Sequence, residues 1–260
     1  NGIIAKGERL YAEVHTAEAE REYLAAQKTA ATLNSALCNT LNAETTYQPI
    51  SSMFILSQIE DVDHFKQLAL NNNPQLRQVG LKKDLAVEGV RLQRADFAPQ
   101  VALMGGASFY NYQVTPLMPR WAVGAGVSFK IFDGLNREYK FSAAKSQVRQ
   151  VEALNVKAQH DILTLIDKLY NEMTTYNEQL PSIDAAYNFA AEYLRIKEEA
   201  FKEGAAPSSD VVDAQLNLAK IKTERLQAAY YYDLMLARLL EACGESEMLT
   251  EYARRPAAMP

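Results

Sequence analysis

The chain has 260 residues, 48% of them hydrophobic and 23% charged, with a formal net charge of −5. That composition excludes an intrinsically disordered chain, and the length allows one large or two small domains. The acidic balance, with no Lys/Arg cluster, argues against a nucleic-acid surface. No apolar run reaches the roughly 18 residues of a transmembrane helix. The chain begins at Asn1 rather than Met, with no charged-then-apolar leader, and reads as a mature or excised piece. Its cysteines, Cys38 and Cys243, carry no metal-site spacing; they read as small apolar fillers near helix ends, with pairing in an oxidising compartment as the alternative.

Residues 7–42 are rich in Ala, Glu, Leu and Gln and contain no proline, which predicts one long helix. A connector follows over 43–60, with a short apolar run from Met53 to Leu56. A second helical stretch runs from Val62 to Phe97, interrupted by Asn71-Asn72-Asn73-Pro74. Proline suits a first helical turn and an asparagine before it suits a cap. The stretch ends at Ala98-Pro99, because a residue before proline avoids the α region.

The period then changes from about 3.6 to 2. Residues Val101–Tyr112 and Trp121–Phe132 read as strands. In the second, Trp121, Val123, Ala125, Val127, Phe129 and Ile131 make an apolar face, and Ala122, Gly124, Gly126, Ser128 and Lys130 a small or polar one. The link Gln113–Arg120 holds Pro116 and Pro119, so the pair is a hairpin with a long loop. Strands of this length and pattern fit a transmembrane β-barrel, and equally a hairpin covering a soluble core.

After Phe132 come Asp133, a plausible cap, and a helical stretch to Glu203. Its apolar seam runs Val148, Val151, Leu154, Ala158, Ile162, Leu165, Leu169, Met173, Tyr176, Leu180, Ile183, Tyr187, Ala190, Leu194. The steps average about 3.5, which is coiled-coil spacing. The seam keeps phase across Pro181, which favours a kink there over the start of a new helix. Unbroken, such a helix spans roughly 105 Å, which suits a wall, tunnel or lever. The last helix starts near Ser208 and stops before Gly244, a good C′ residue. The tail to Pro260 is expected to fray.

An offset of 202 places Gly2 on Gly204, Glu8 on Asp210, Leu10 on Val212, Glu22 on Glu224 and Leu37 on Leu239. The chain therefore reads as starting at the bend of one repeat and containing nearly all of a second. Catalytic constellations do not emerge. His15, His64 and His160 lie far apart, none with a second ligand one turn away. The sequence has no phosphate-cradling glycine loop and no nucleophile elbow, so we expect no enzyme, cofactor or metal.

Asn73-Pro74-Gln75-Leu76, Ala95 with Pro99, Phe132-Asp133-Gly134, and Gly204 with Asp210, Ala214 and Gln215 are similar in order and spacing to the motifs of the TolC family of outer-membrane efflux proteins. The resemblance covers about 240 residues. It implies a mainly α fold: long antiparallel coiled-coil helices forming a segment of α-barrel wall, plus one two-stranded β-hairpin contributing to a transmembrane β-barrel. On it, 1–42 is the ascending tunnel helix of a truncated first repeat, 43–60 an equatorial connector, and 61–98 the helix leading to the barrel. Residues 99–132 are the barrel hairpin, 133–203 the long tunnel helix, 204–209 the periplasmic tip turn, 210–243 an ascending helix and 244–260 the tail.

The resemblance further implies a homotrimer in the outer membrane and periplasm of a Gram-negative bacterium. Outer-membrane lipid surrounds the barrel, and a periplasmic adaptor protein and an inner-membrane transporter dock to the tip. The whole is a passive exit duct for efflux or type I secretion. This chain has one strand pair where such proteins have two. A soluble periplasmic coiled-coil adaptor or scaffold is the alternative.

At the tip, two family aspartates that line the tunnel constriction match Asp210 and Asp213. A tyrosine and an arginine that lock the closed state fall on Phe201 and Ala206, so hydroxyl and cation are both missing there. The acidic partner in the first repeat falls on Glu8, and Gly204 makes the turn. Asp210 and Asp213 are three residues apart, on one helical face. Either they form an acidic ring, as in cation channels, or they only favour a helix N-terminus.

Overall fold

A computed structural model of the chain describes residues 6–43, 45, 47, 50–107 and 121–259. Gly2, the end of the first hairpin strand nearest the loop (108–112), the loop with Pro116 and Pro119, and Pro260 lie outside the described residues. The elements are α1 (Lys6–Thr40), β1 (Ile55–Leu56), α2 (Val62–Asn72), α3 (Pro74–Ala95), β2 (Gln100–Ala107), β3 (Trp121–Ser128), α4 (Asn136–Lys202), α5 (Ser208–Cys243), a 3₁₀ turn (Ser246–Met248), α6 (Leu249–Tyr252) and β4 (Ala257–Met259). Contacts divide the chain into two units: 1–62 with 167–241 and 245–260, and 63–166 with 242–244.

In the second unit, Asn73 does two jobs. Its backbone is extended (φ −60, ψ 121), Pro74 opens α3, and its Oδ1 accepts from the Leu76 N–H at 2.9 Å. Its Nδ2 donates to the Ala242 carbonyl at 2.7 Å, so one buried amide caps the start of α3 and the end of α5. Gly244 follows with φ +76, and a Cβ there would sit 2.4 Å from the Asn72 carbonyl oxygen. Only glycine fits this approach.

β2 and β3 pair antiparallel, with Val101 opposite Val127, Leu103 opposite Ala125 and Ala107 opposite Trp121. Directly opposed residues share a face, so the bulky apolar side chains gather on one side. The other side holds Ala102, Met104 and Gly106 opposite Gly126, Gly124 and Ala122. Val101, Leu103, Trp121, Val123 and Val127 are all exposed. A hairpin covering a soluble core would bury one face; this one buries neither among its described residues. Residues 129–132 are not strand, so β3 stops four residues short of the expected end.

Asp133 does not cap α4. Gly134 (φ 70) and Leu135 (φ 66) intervene before the helix begins at Asn136. Asp133 pairs instead with Arg137 at 3.3 Å, and the guanidinium lies 5.2 Å from the Phe97 ring centroid. α4 then runs unbroken for 67 residues through Pro181, so no new helix starts there. Its seam is close to the expected one, with two shifts. Ile166 is buried where Leu165 is exposed, and Asn155 takes the place of the exposed Leu154. Beyond Leu194 the half-buried series continues onto Lys197.

In the first unit, α5 packs antiparallel to the 167–202 portion of α4. Tyr231 stacks on Tyr176 (centroids 5.6 Å), Arg225 pairs with Asp184 at 2.7 Å, and Asp210 with Lys197 at 2.6 Å. A core forms near the C-terminal part of α5, where Tyr232, Leu236, Leu239 and Leu240 are buried, as are Ile55 and Leu56 of the connector. The tail does not fray. β4 pairs with β1, Tyr252 is buried, and Glu60 accepts from the Tyr252 hydroxyl (3.0 Å) and from Arg255 Nη1 (2.7 Å). Neither cysteine is in a disulfide; Cys243 is buried with its Sγ 3.4 Å from the Phe65 carbonyl.

Candidate functional site: the hairpin tip between α4 and α5

Gly204 ends α4. Its φ of +75 lets the Ala205 N–H reach the Ala200 carbonyl (2.8 Å) and its own N–H reach the Phe201 carbonyl (3.0 Å). Those two bonds make a Schellman ending, the geometry that reverses a chain tightly after a helix. The turn is short, and Ser208 and Ser209 already belong to α5. Asp210 and Asp213 therefore stand in the first two turns of the returning helix.

Neither carboxylate is unpartnered. Asp210 Oδ2 receives Lys197 Nζ from α4 at 2.6 Å. The hydrogen bond to Asp210 raises the Lys197 pKa, so this ammonium stays charged at any physiological pH. The Tyr193 ring lies 5.4 Å from the same nitrogen, within cation–π range. Asp213 Oδ1 accepts from the Tyr11 hydroxyl of α1 at 2.5 Å, and that bond raises the phenol's pKa.

Glu8 reaches the same helix start by another route. Its Oε2 accepts from Ser208 Oγ at 2.8 Å and from the Ser208 N–H at 3.3 Å. It thus serves one of the orphan amides at the start of α5 with a carboxylate, which the helix dipole also favours. Phe201 is partly exposed, and neither it nor Ala206 carries a polar side-chain group. Among the expected site residues, Glu8, Asp210, Asp213 and Gly204 come together at the tip. Lys197 and Tyr11 were missed. The signals were present: the seam of α4 extended by three from Leu194 lands on Lys197, and the offset of 202 places Tyr11 on Asp213.

Among the described residues no cluster of His, Cys, Asp and Glu could hold a metal ion. His15 pairs with Glu18 at 3.1 Å and meets the Tyr11 ring edge-on. Among the described residues no helix is long and apolar enough to cross a membrane.

The profile of the outer membrane efflux protein family matches residues 66–245. The chain is 24% identical over 173 residues to the outer membrane protein TolC of Vibrio cholerae, across 65% of this chain and 39% of that protein. Among solved structures it superposes on the outer membrane protein VceC of Vibrio cholerae with a TM-score of 0.75 at 18% identity, over 94% of this chain and 59% of that one. The open state of the MtrE outer membrane channel of Neisseria gonorrhoeae gives 0.77 at 17% identity, over 94% and 57%. The chain thus spans well under two thirds of the length of these relatives. With the family profile matching most of the chain, across both units and including the tip, the chain belongs to the outer membrane efflux protein family.

Proposed function

We propose that this chain is part of an outer-membrane exit duct for efflux or secretion, with its α4–α5 turn at a constriction lined by Asp210 and Asp213. The observation that carries the reading is the tip itself. A tight glycine-ended reversal places two carboxylates three residues apart in the first turns of α5, on a chain of this family. The hairpin supports it: one bulky apolar face, one small face and neither buried suit a strand pair whose partners are other strands and lipid.

In a trimer, three copies of each aspartate would surround one axis and favour cations, as acidic rings do in cation channels. A periplasmic adaptor and an inner-membrane transporter would complete the route for small molecules or proteins. No catalytic step is part of the reading; the duct is passive.

The test is ion selectivity of the complete protein in a planar bilayer under a salt gradient. Asp210→Asn with Asp213→Asn should move the reversal potential away from the cation equilibrium value. An unchanged potential in the double variant removes the ring. Failure of the complete protein to form conducting trimers removes the duct.

A further inference from the structure

We propose that the base of the β2–β3 hairpin carries a binding site for the phosphodiester headgroup of a membrane phospholipid. The inference rests on the duct reading, which sets this end of the hairpin at the boundary between bilayer and periplasm.

The site is a polar cavity of about 90 Å³ where α3 ends, β2 starts, β3 ends and α4 starts. Its lining holds three cations, Lys130, Arg137 and Lys140, and two carboxylates, Asp96 and Asp133. Asp133 is committed to Arg137 at 3.3 Å. Neither Lys130 nor Lys140 has an ion pair or hydrogen bond among the described residues. Only Asp96 offsets them, so the lining keeps one positive charge, the complement of the single negative charge of a phosphodiester. Arg137 also has donor capacity to spare. Its Nη2 donates to the Ile131 carbonyl at 3.4 Å, but its Nε is buried without a hydrogen-bond partner. Buried donors are normally paired, and an oxyanion is the acceptor that a guanidinium binds most strongly.

The surroundings decide the source of the phosphate. Close to these cations in the chain, Ile131, Phe132 and Tyr139 are each more than two-thirds exposed, and Leu135 is half exposed. Bulky apolar side chains interleaved with cations suit a membrane interface, where acyl chains meet headgroups. A free phosphate would use the cations alone; a phospholipid uses both.

Native mass spectrometry of the complete trimeric protein, released from neutral detergent with graded dioleoyl phosphatidylglycerol, reads the site. Phosphatidylglycerol should be retained in preference to dioleoylglycerol, which has the same chains and no phosphate. Lys130→Gln with Lys140→Gln should weaken its binding roughly tenfold, since two charge-assisted contacts are lost and neither lysine has a protein partner. Lys130→Arg with Lys140→Arg should keep the binding, which separates loss of charge from misfolding. Asp96→Asn should tighten it, because the carboxylate that opposes the phosphate is gone. Unchanged phosphatidylglycerol binding in the paired glutamine variant overturns the inference. So does inorganic phosphate that displaces the lipid at equal concentration, because the acyl chains then add nothing. Trimers that conduct in a planar bilayer yet fail either test leave the duct standing without this site. A complete protein that forms no conducting trimers removes both.

Discussion

Alanine at Gly244 and at Gly204 gives a matched pair of perturbations. Both glycines sit at a helix C′ position with nearly the same backbone, φ +76 and φ +75. Left-handed backbone costs an L-residue about 1–2 kcal/mol, offset by about 0.4–1 kcal/mol from the stiffer unfolded chain. For Gly204→Ala that is the whole effect, because nothing lies within 4 Å of the added methyl. The expected loss is therefore about 1 kcal/mol. At Gly244 the methyl would lie 2.4 Å from the Asn72 carbonyl oxygen, 3.0 Å from its carbon and 3.4 Å from Pro74 Cδ. Those atoms cannot yield cheaply, since the next residue, Asn73, is buried and bonded to both Leu76 and Ala242. Overpacking of this kind adds about 1–3 kcal/mol, so Gly244→Ala should lose about 2–4 kcal/mol in all. Urea unfolding followed by far-ultraviolet circular dichroism measures both. Equal losses for the two variants would refute the argument, leaving dihedral strain as the only cost and no close approach at Asn72.

Asn73→Asp keeps the acceptor for Leu76 and loses the donor to Ala242, while Asn73→Ala loses both. Each should cost about 2 kcal/mol in the same urea assay, and a loss under about 0.5 for either would count against the shared cap. Leu135→Gly relieves a positive φ of 66 on an exposed side chain and should raise stability by up to about 1 kcal/mol. Burial pushes the Asp233 carboxyl up to about 6, against a bond from the Phe54 N–H that lowers it. A raised acid pKa means the folded state binds its proton more tightly. Discounted for solvent screening of a half-buried group, this should subtract about 1–2 kcal/mol of stability as pH rises from about 4 through about 6. Asp233→Asn should remove that decline; urea midpoints that fall equally with pH in both proteins would refute it. Glu60 behaves oppositely. Burial raises its pKa, but its own backbone amide, Arg255 and Tyr252 outweigh that and hold the carboxyl below its usual range. Its contribution is present above the ordinary carboxylate pKa of 4.5 and lost as pH falls below it, so Glu60→Gln should expose the tail to carboxypeptidase at neutral pH.

Local signals carried most of the element boundaries. Asn73-Pro74 marked a helix start because cap chemistry and proline's fixed φ act within a few residues. Gly204 and Gly244 marked ends for the same reason, and the alternation of β2 and β3 survives as two distinct faces. The tail was misread because its order is non-local. Glu60 is 192 residues from Tyr252 and 195 from Arg255, and no periodicity within 245–260 announces such partners. Asp133 was misread because two residues of positive φ displace the helix start from the residue that looks like its cap. At the tip, Asp210 and Asp213 were legible as acids after a turn. Their partners were not, because a search for apolar seam residues passes over a lysine that occupies a seam position.

The pairing of Tyr11 with Asp213 follows from the repeat once both helices are parallel and level. Residues separated by the repeat offset then stand at similar height, as Tyr11 and Asp213 do. Identical acids at both members of such a pair would place like charges side by side, which destabilises a helix contact in the same way as a like-charged pair one turn apart. The two copies differ where they touch. The first offers a hydroxyl donor where the second offers a carboxylate, and one turn earlier Glu8 turns to Ser208 rather than to its counterpart Asp210. Asp210 is left to take its cation from α4. Divergence between the copies at these few positions lets the acids at the tip be held by attraction within a single chain. For that reason Tyr11→Glu should be harsher than Tyr11→Phe. It sets a second carboxylate against Asp213, so stability in urea should fall further below wild type than with the bare loss of a hydrogen bond, and most at low ionic strength. Equal urea midpoints for the two variants would show that the hydroxyl matters and the charge pattern between the copies does not.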